Sequence, residues 1–180
     1  MTVSGEQAFN DEMENEMSSS MGSLIMAAMC LMVFAVLALF SHVRYALLPV
    51  AVVASGLVLT FGMMGLSGTP ISMVVIGAFP VLIGIGIDYA IQIHSRIDEE
   101  IKKTSLSRAV TITITKTCPS VLIAMLATST GFIAMLFGPI PMVGDFGITC
   151  TYGVISCYVA AIIIVPTFAM LVRYRAKNVT

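Results

Sequence analysis

Long apolar stretches dominate the chain, and polar residues are confined to the gaps between them. Five runs, residues 23–41, 47–66, 71–93, 118–137 and 146–172, stay apolar long enough to cross a membrane. A helix rising about 1.5 Å per residue needs roughly 17 to 25 such residues for a hydrocarbon core about 30 Å thick. The last run is the longest and has room to tilt or to project beyond the lipid. Strand-like alternation is confined to TITIT, residues 111–115. Five residues with no partner strand in sight favour helix there as well. The pattern predicts an all-α, polytopic membrane protein with five transmembrane helices.

The prolines punctuate this pattern. Pro49, Pro70 and Pro119 fall in the first turns of the second, third and fourth spans, where a missing amide is harmless. Pro139 and Pro141 stiffen the loop between spans four and five, whereas Pro80 and Pro166 lie inside spans and predict kinks. The long connection at 96–117 sets Glu99 four residues before Lys103 and spaces Ile97, Ile101 and Val110 helically. These residues predict an interfacial helix near 97–115, lying along the membrane surface.

Composition narrows the class. The 180 residues are 58% hydrophobic and 11% charged, against about 25% charged in soluble domains. A soluble enzyme, a nucleic-acid binder and a disordered chain are excluded. The nine cations are Arg44, Arg96, Lys102, Lys103, Arg108, Lys116, Arg173, Arg175 and Lys177. All fall in the first connection, the third connection or the C-terminal tail, which share one face of a five-span bundle. Because Lys and Arg favour the cytoplasmic side, the expected arrangement is a multi-pass cell-membrane protein with an extracytoplasmic N-terminus and a cytoplasmic C-terminus. Residues 1–20 hold five acids and no Lys or Arg, unlike a signal peptide. The expected organisation is an extracytoplasmic acidic segment at 1–20, the membrane domain at 21–175 and a cytoplasmic tail at 176–180.

Cys30, Cys118, Cys150 and Cys157 lie in or beside apolar runs without metal-ligand spacing and are read as packing residues. His94 belongs at the inner interface and His42 in a loop, neither with ligand spacing. There is no nucleophile with a base, no Walker lysine and no metal cluster. Neither enzymatic activity nor a metal or other cofactor is expected.

Asp88, in span three, is the only charged residue inside the five runs, about five residues from that span's inner end. An ionised carboxylate in hydrocarbon costs about 3 kcal/mol or more, so it must be neutral, paired or wetted. Loss of water favours the neutral form of a carboxyl. A group that changes charge under these conditions lets a proton gradient bias a helix between two positions. Gly77, Gly84 and Gly86 thin the same helix for close packing, Pro80 frees the carbonyl of Ile76, and Gly84 shares the Asp88 face. Tyr89 points about 100° away, toward a neighbouring span. Thr128, Ser129 and Thr130 are the candidate polar partners of Asp88, although such hydroxyls usually bond the carbonyl four residues back. Asp145, at the outer end of span five, suits a helix N-terminus.

GIGIDYAIQIHSR, residues 84–96, resembles the fourth transmembrane helix of the resistance-nodulation-division (RND) superfamily in its MMPL and archaeal hydrophobe-exporter branch. LATSTGFIAMLF, residues 126–137, resembles the fifth helix of that family, and DFGITCTYGVISCYVAAIIIVPTFAML, residues 145–171, resembles its sixth. The similarity covers residues 23–175. It implies that Asp88 and Tyr89 occupy the positions of the family's proton-relay pair. It also implies that the spans are helices two to six of one six-helix half, the unit called a sterol-sensing domain in eukaryotic relatives. Residues 3–17 would then end the extracytoplasmic porter domain.

A complete family member also has a first helix, the porter domain and a second, pseudo-symmetric half. The chain is therefore read as a piece of a longer protein, with a homodimer pairing two third spans as the alternative. The resemblance implies a proton-motive-force-driven exporter module for hydrophobic or lipid-like molecules, with H⁺ or Na⁺ as coupling ion. Expected partners are membrane lipids, such a substrate, and a second transmembrane half or a homodimer mate, with no nucleic acid. The rival reading is a sterol-sensing-domain-like lipid-binding module that transports nothing.

Overall fold

The computed structural model describes residues 47–69 and 73–171, together with Ser23, Met26, Ala27, Cys30 and Phe34. The chain divides into two units, Met1–His42 and Val43–Thr180. In the first, the five described residues are helical, on the first expected span. The acidic segment at 1–20, the rest of the first span, His42, Arg44, Pro70 and the tail from 172 onward, with Arg173, Arg175 and Lys177, lie outside the described residues.

The second unit is all-helical among the described residues and contains four helices long and apolar enough to cross a membrane. Helix α1 (Leu47–Ser67) carries Pro49 in its first turn, as expected. It ends at Gly68, whose φ of 69° reverses the chain, while Thr69 N–H donates to the Met64 carbonyl at 3.2 Å. This left-handed closure favours glycine and caps carbonyls that the helix end would leave open.

The third span is interrupted near its N-terminal end. Helix α2 (Met73–Ile76) stops at Gly77, and α3 (Ala78–Ile101) follows. The kink expected at Pro80 thus takes the form of a break three residues earlier. Pro80 stands in the first turn of α3, and the carbonyl it cannot bond is that of Ile76, the last residue of α2.

The connection between spans three and four corrects the expected interfacial helix near 97–115. Residues 97–101 are the last turn and more of α3, and a turn follows in which Lys103 and Thr104 N–H groups both donate to the Glu100 carbonyl, at 3.0 and 2.9 Å. Ser105 then leads into α4 (Leu106–Ile112), a π turn at Thr113–Thr117, α5 (Cys118–Ala134) and a 3₁₀ turn at Met135–Phe137. TITIT is helical, as expected. The combined helix, Leu106–Phe137, has 32 residues and spans about 48 Å, longer than the hydrocarbon. Ile97 and Val110 are buried in the protein core; they are held by other helices.

Pro119 stands in the first turn of α5, as expected, although that helix continues directly from the π turn. Its ring crowds the carbonyl four residues back and it lacks an N–H, and the wider π turn just before it takes up the misfit. The Cys118 N–H accordingly reaches the Thr113 carbonyl, five residues back.

Helix α6 (Pro141–Leu171) begins five residues before the expected start at 146. Pro141 therefore opens the helix, a position proline favours, and Asp145 falls in the second turn instead of at the end. The helix continues through Pro166 to Leu171.

Helix α6 is the centre of the unit and packs against α1, α3 and α5. Lipid offers no hydrophobic drive between helices, so close contact depends on small residues. Gly56 of α1 and Gly86 of α3 both face Cys157 of α6. A Cβ at Gly56 would lie 2.7 Å from the Cys157 sulfur, and one at Gly86 would lie 3.0 Å from that sulfur and 3.1 Å from Val53 Cγ2. Gly153 of α6 is covered by the Leu82 side chain, which is fully buried. Cys118, Cys150 and Cys157 are buried, whereas Cys30 is exposed.

Candidate functional site

Helix α3 has two unlike faces, and the packing of Gly86 sets their direction. Leu82, Gly86, Tyr89, Ala90, Ile93 and Ile97 turn inward. Asp88, two residues after Gly86 and about 200° around the helix, turns outward and is exposed on the surface of the bundle. Gln92, Ser95 and Glu99 continue the same exposed face at helical spacing. A polar stripe therefore runs from within span three to its C-terminal end.

Along that stripe, the Gln92 amide Nε2 donates to Asp88 Oδ2 at 2.8 Å. The three expected partners are engaged elsewhere. Thr128 and Thr130 hydroxyls donate to the Ala124 and Leu126 carbonyls at 3.0 and 2.8 Å. The buried Ser129 hydroxyl lies 3.5 Å from Met125 Sδ. Helical hydroxyls close on their own backbone wherever hydrocarbon leaves them no water. Gln92 was not anticipated. Its signal was the four-residue spacing from Asp88, which puts an amide and a carboxylate side by side on a helix.

Tyr89 goes to the other side, as its position predicts. Its ring meets Tyr158 of α6 edge-on, with centroids 6.2 Å apart and planes at 86°. Its phenol also has the Thr128 side chain of α5 as a hydrogen-bond partner. The Tyr158 hydroxyl donates to the Cys118 carbonyl at 3.0 Å. Asp88 and Tyr89 are thus neighbours in sequence on different faces: one is open to whatever adjoins the bundle, and the other is built into the contacts of α3, α5 and α6.

The glycines divide similarly. Gly86 is buried at the triple contact, Gly84 is half-buried beneath Asp88 on its own face, and Gly77 is the break that separates α2 from α3.

At the C-terminal end of α3, Arg96 bridges Glu99 and Glu100 with both contacts at 2.7 Å, and Lys103 reaches Glu99 at 3.1 Å, as its spacing predicts. His94 is buried and lies 4.0 Å from Asp98. Asp145, in α6, is half-buried.

A protein of Methanocaldococcus jannaschii, described simply as a membrane protein, is 29% identical over 126 residues. The match covers 69% of this chain and 32% of that protein, so the chain spans about a third of the relative's length. No solved structure matches. The model of the MMPL family matches residues 1–177. The matched stretch takes in all four described membrane helices and the Asp88 stripe, and the chain accordingly belongs to the MMPL family.

Proposed function

We propose that this chain is the transmembrane module of an RND-type exporter of hydrophobic or lipid-like molecules, driven by the proton motive force through Asp88. The observation that carries the reading is the outward direction of that carboxyl. A charge on the outer face of a membrane helix costs about 2.5 to 3.5 kcal/mol when it meets lipid. An exposed face carrying Asp88, Gln92 and Ser95 therefore suits a second transmembrane half, or a second copy of the chain, with water or a counter-group between the two. The charged form of such a carboxyl needs water or a counter-group, and the neutral form does not. Two arrangements of the halves can then be exchanged by loading and unloading one proton.

Tyr89 is the relay partner in this reading, acting from the bundle side. The module lies in the cell membrane with its N-terminus outside and its cation-rich connections inside. H⁺ is the coupling ion, with Na⁺ served by the same carboxylate. The substrate class follows from the resemblance to hydrophobe exporters.

Asp88→Asn keeps the shape of the side chain and removes its titration. In the full-length protein, export of a hydrophobic substrate is expected to fall to background with protein levels unchanged. Export at the wild-type rate would abandon proton coupling at this site and favour a lipid-binding module.

A further inference from the structure

We infer that Gln92 is a positioning residue of the Asp88 site, holding the carboxyl in both of its charge states and carrying its polar surroundings inward toward Ser95. The inference rests on the reading of Asp88 as the coupling group and adds the residue that serves it.

Three observations converge. Gln92 Nε2 lies 2.8 Å from Asp88 Oδ2. Both residues are exposed on a helix face that no other part of the described bundle covers. Ser95 and Glu99 extend that face to the Arg96, Glu100 and Lys103 cluster. A polar side chain on the outer surface of a membrane helix is costly unless it has work to do there.

The chemistry of an amide fits a carboxyl that changes charge. Its NH₂ donates to the ionised form, and its carbonyl accepts from the protonated form after rotation about the last side-chain bond. A lysine or arginine in its place would fix the carboxylate permanently, and a leucine would serve neither state. Gln92 alone among the helix neighbours of Asp88 meets both needs. The titratable groups around the site are Tyr89 on the same helix, whose environment Asp88 shares, and Tyr158 of α6 behind its ring. Arg96, two turns further on, is held by Glu99 and Glu100.

The test uses dicyclohexylcarbodiimide, which modifies protonated carboxyls in apolar surroundings, on the full-length protein in lipid vesicles. The rate of modification at residue 88 is followed by mass spectrometry across pH, and Asp88→Asn identifies the labelled site. A hydrogen bond to a charged group is stronger than one to a neutral group. Gln92→Leu should therefore move the labelling midpoint to higher pH, with labelling about fivefold to tenfold faster on the alkaline side. Gln92→Glu places a second carboxyl one turn away, and the pair then shares protons; labelling at Asp88 should persist to still higher pH.

Curves for Gln92→Leu and Gln92→Glu that superpose on the wild type would overturn the inference. That result is separate from the fate of the functional reading, which the export assay of Asp88→Asn decides. Loss of export in Asp88→Asn with unmoved Gln92 curves rejects Gln92 alone.

Discussion

Gly56, Gly86 and Cys157 bring three helices into close contact, and burying Gly86 there turns Asp88 outward. With no side chain at 56 or 86, α1 and α3 both close on the sulfur of α6. Gly56→Ala would place a Cβ 2.7 Å from that sulfur, and overpacking of this kind costs about 1 to 3 kcal/mol. Unfolding in mixed micelles should show the loss. Cys157→Ala in the same chain should restore part of it, because the contacts that remain are with Cα at 3.1 Å and Cβ at 3.4 Å. Independent, additive effects of the two substitutions would argue against a shared contact. That Gly86 thins its helix for close packing was legible in the sequence, as was the place of Gly84 on the Asp88 face. The part of Gly56 was not, nor which helices close on Gly86. For the same reason the sequence suggested Thr128, Ser129 and Thr130 as partners for Asp88. Depth in the membrane is readable from a run of residues, but rotation about the helix axis depends on the neighbours.

At the scale of elements, spans were easier to read than their ends. An apolar run of the required length is a property of composition and survives any packing arrangement. Proline marks a boundary in several ways, and only the surrounding fold selects one. Pro141 opens α6, Pro80 follows a break at Gly77, and Pro119 sits just past a π turn within one long helix. The connection between α3 and α5 was misread because Ile97, Ile101 and Val110 have the spacing of a surface helix; the core takes them instead, with Ile101 packed at its margin. Tyr158 joins two of these elements by donating to the Cys118 carbonyl beside the π turn. Tyr158→Phe should lower stability by about 1 kcal/mol, the scale of one interhelical hydrogen bond. It should also speed hydrogen exchange in residues 113–118. Unchanged exchange there would mean that the π turn is held by Pro119 alone.

For the molecule as a whole, the all-helical membrane bundle was legible from hydropathy, and the family from three short stretches of the chain. Orientation remains a matter of the cations. Five of them, Arg96 in the last turns of α3 and Lys102, Lys103, Arg108 and Lys116 between α3 and α5, are opposite in the bundle's expected topology to the turn at Gly68. In a Cys30→Ser background, a cysteine at Ser67 should react with a membrane-impermeant maleimide on intact cells, and one at Lys103 only after permeabilisation. The reverse pattern would invert the proposed topology, along with the direction in which the Asp88 stripe opens.

The central claim is that the outward-facing carboxyl of α3 carries the proton that drives transport. It is tested most directly in proteoliposomes containing the full-length protein, with a pH-sensitive dye inside and an imposed pH gradient. Substrate-dependent proton movement should be present in the wild type and absent in Asp88→Asn. Equal proton movement in the two proteins would contradict the account.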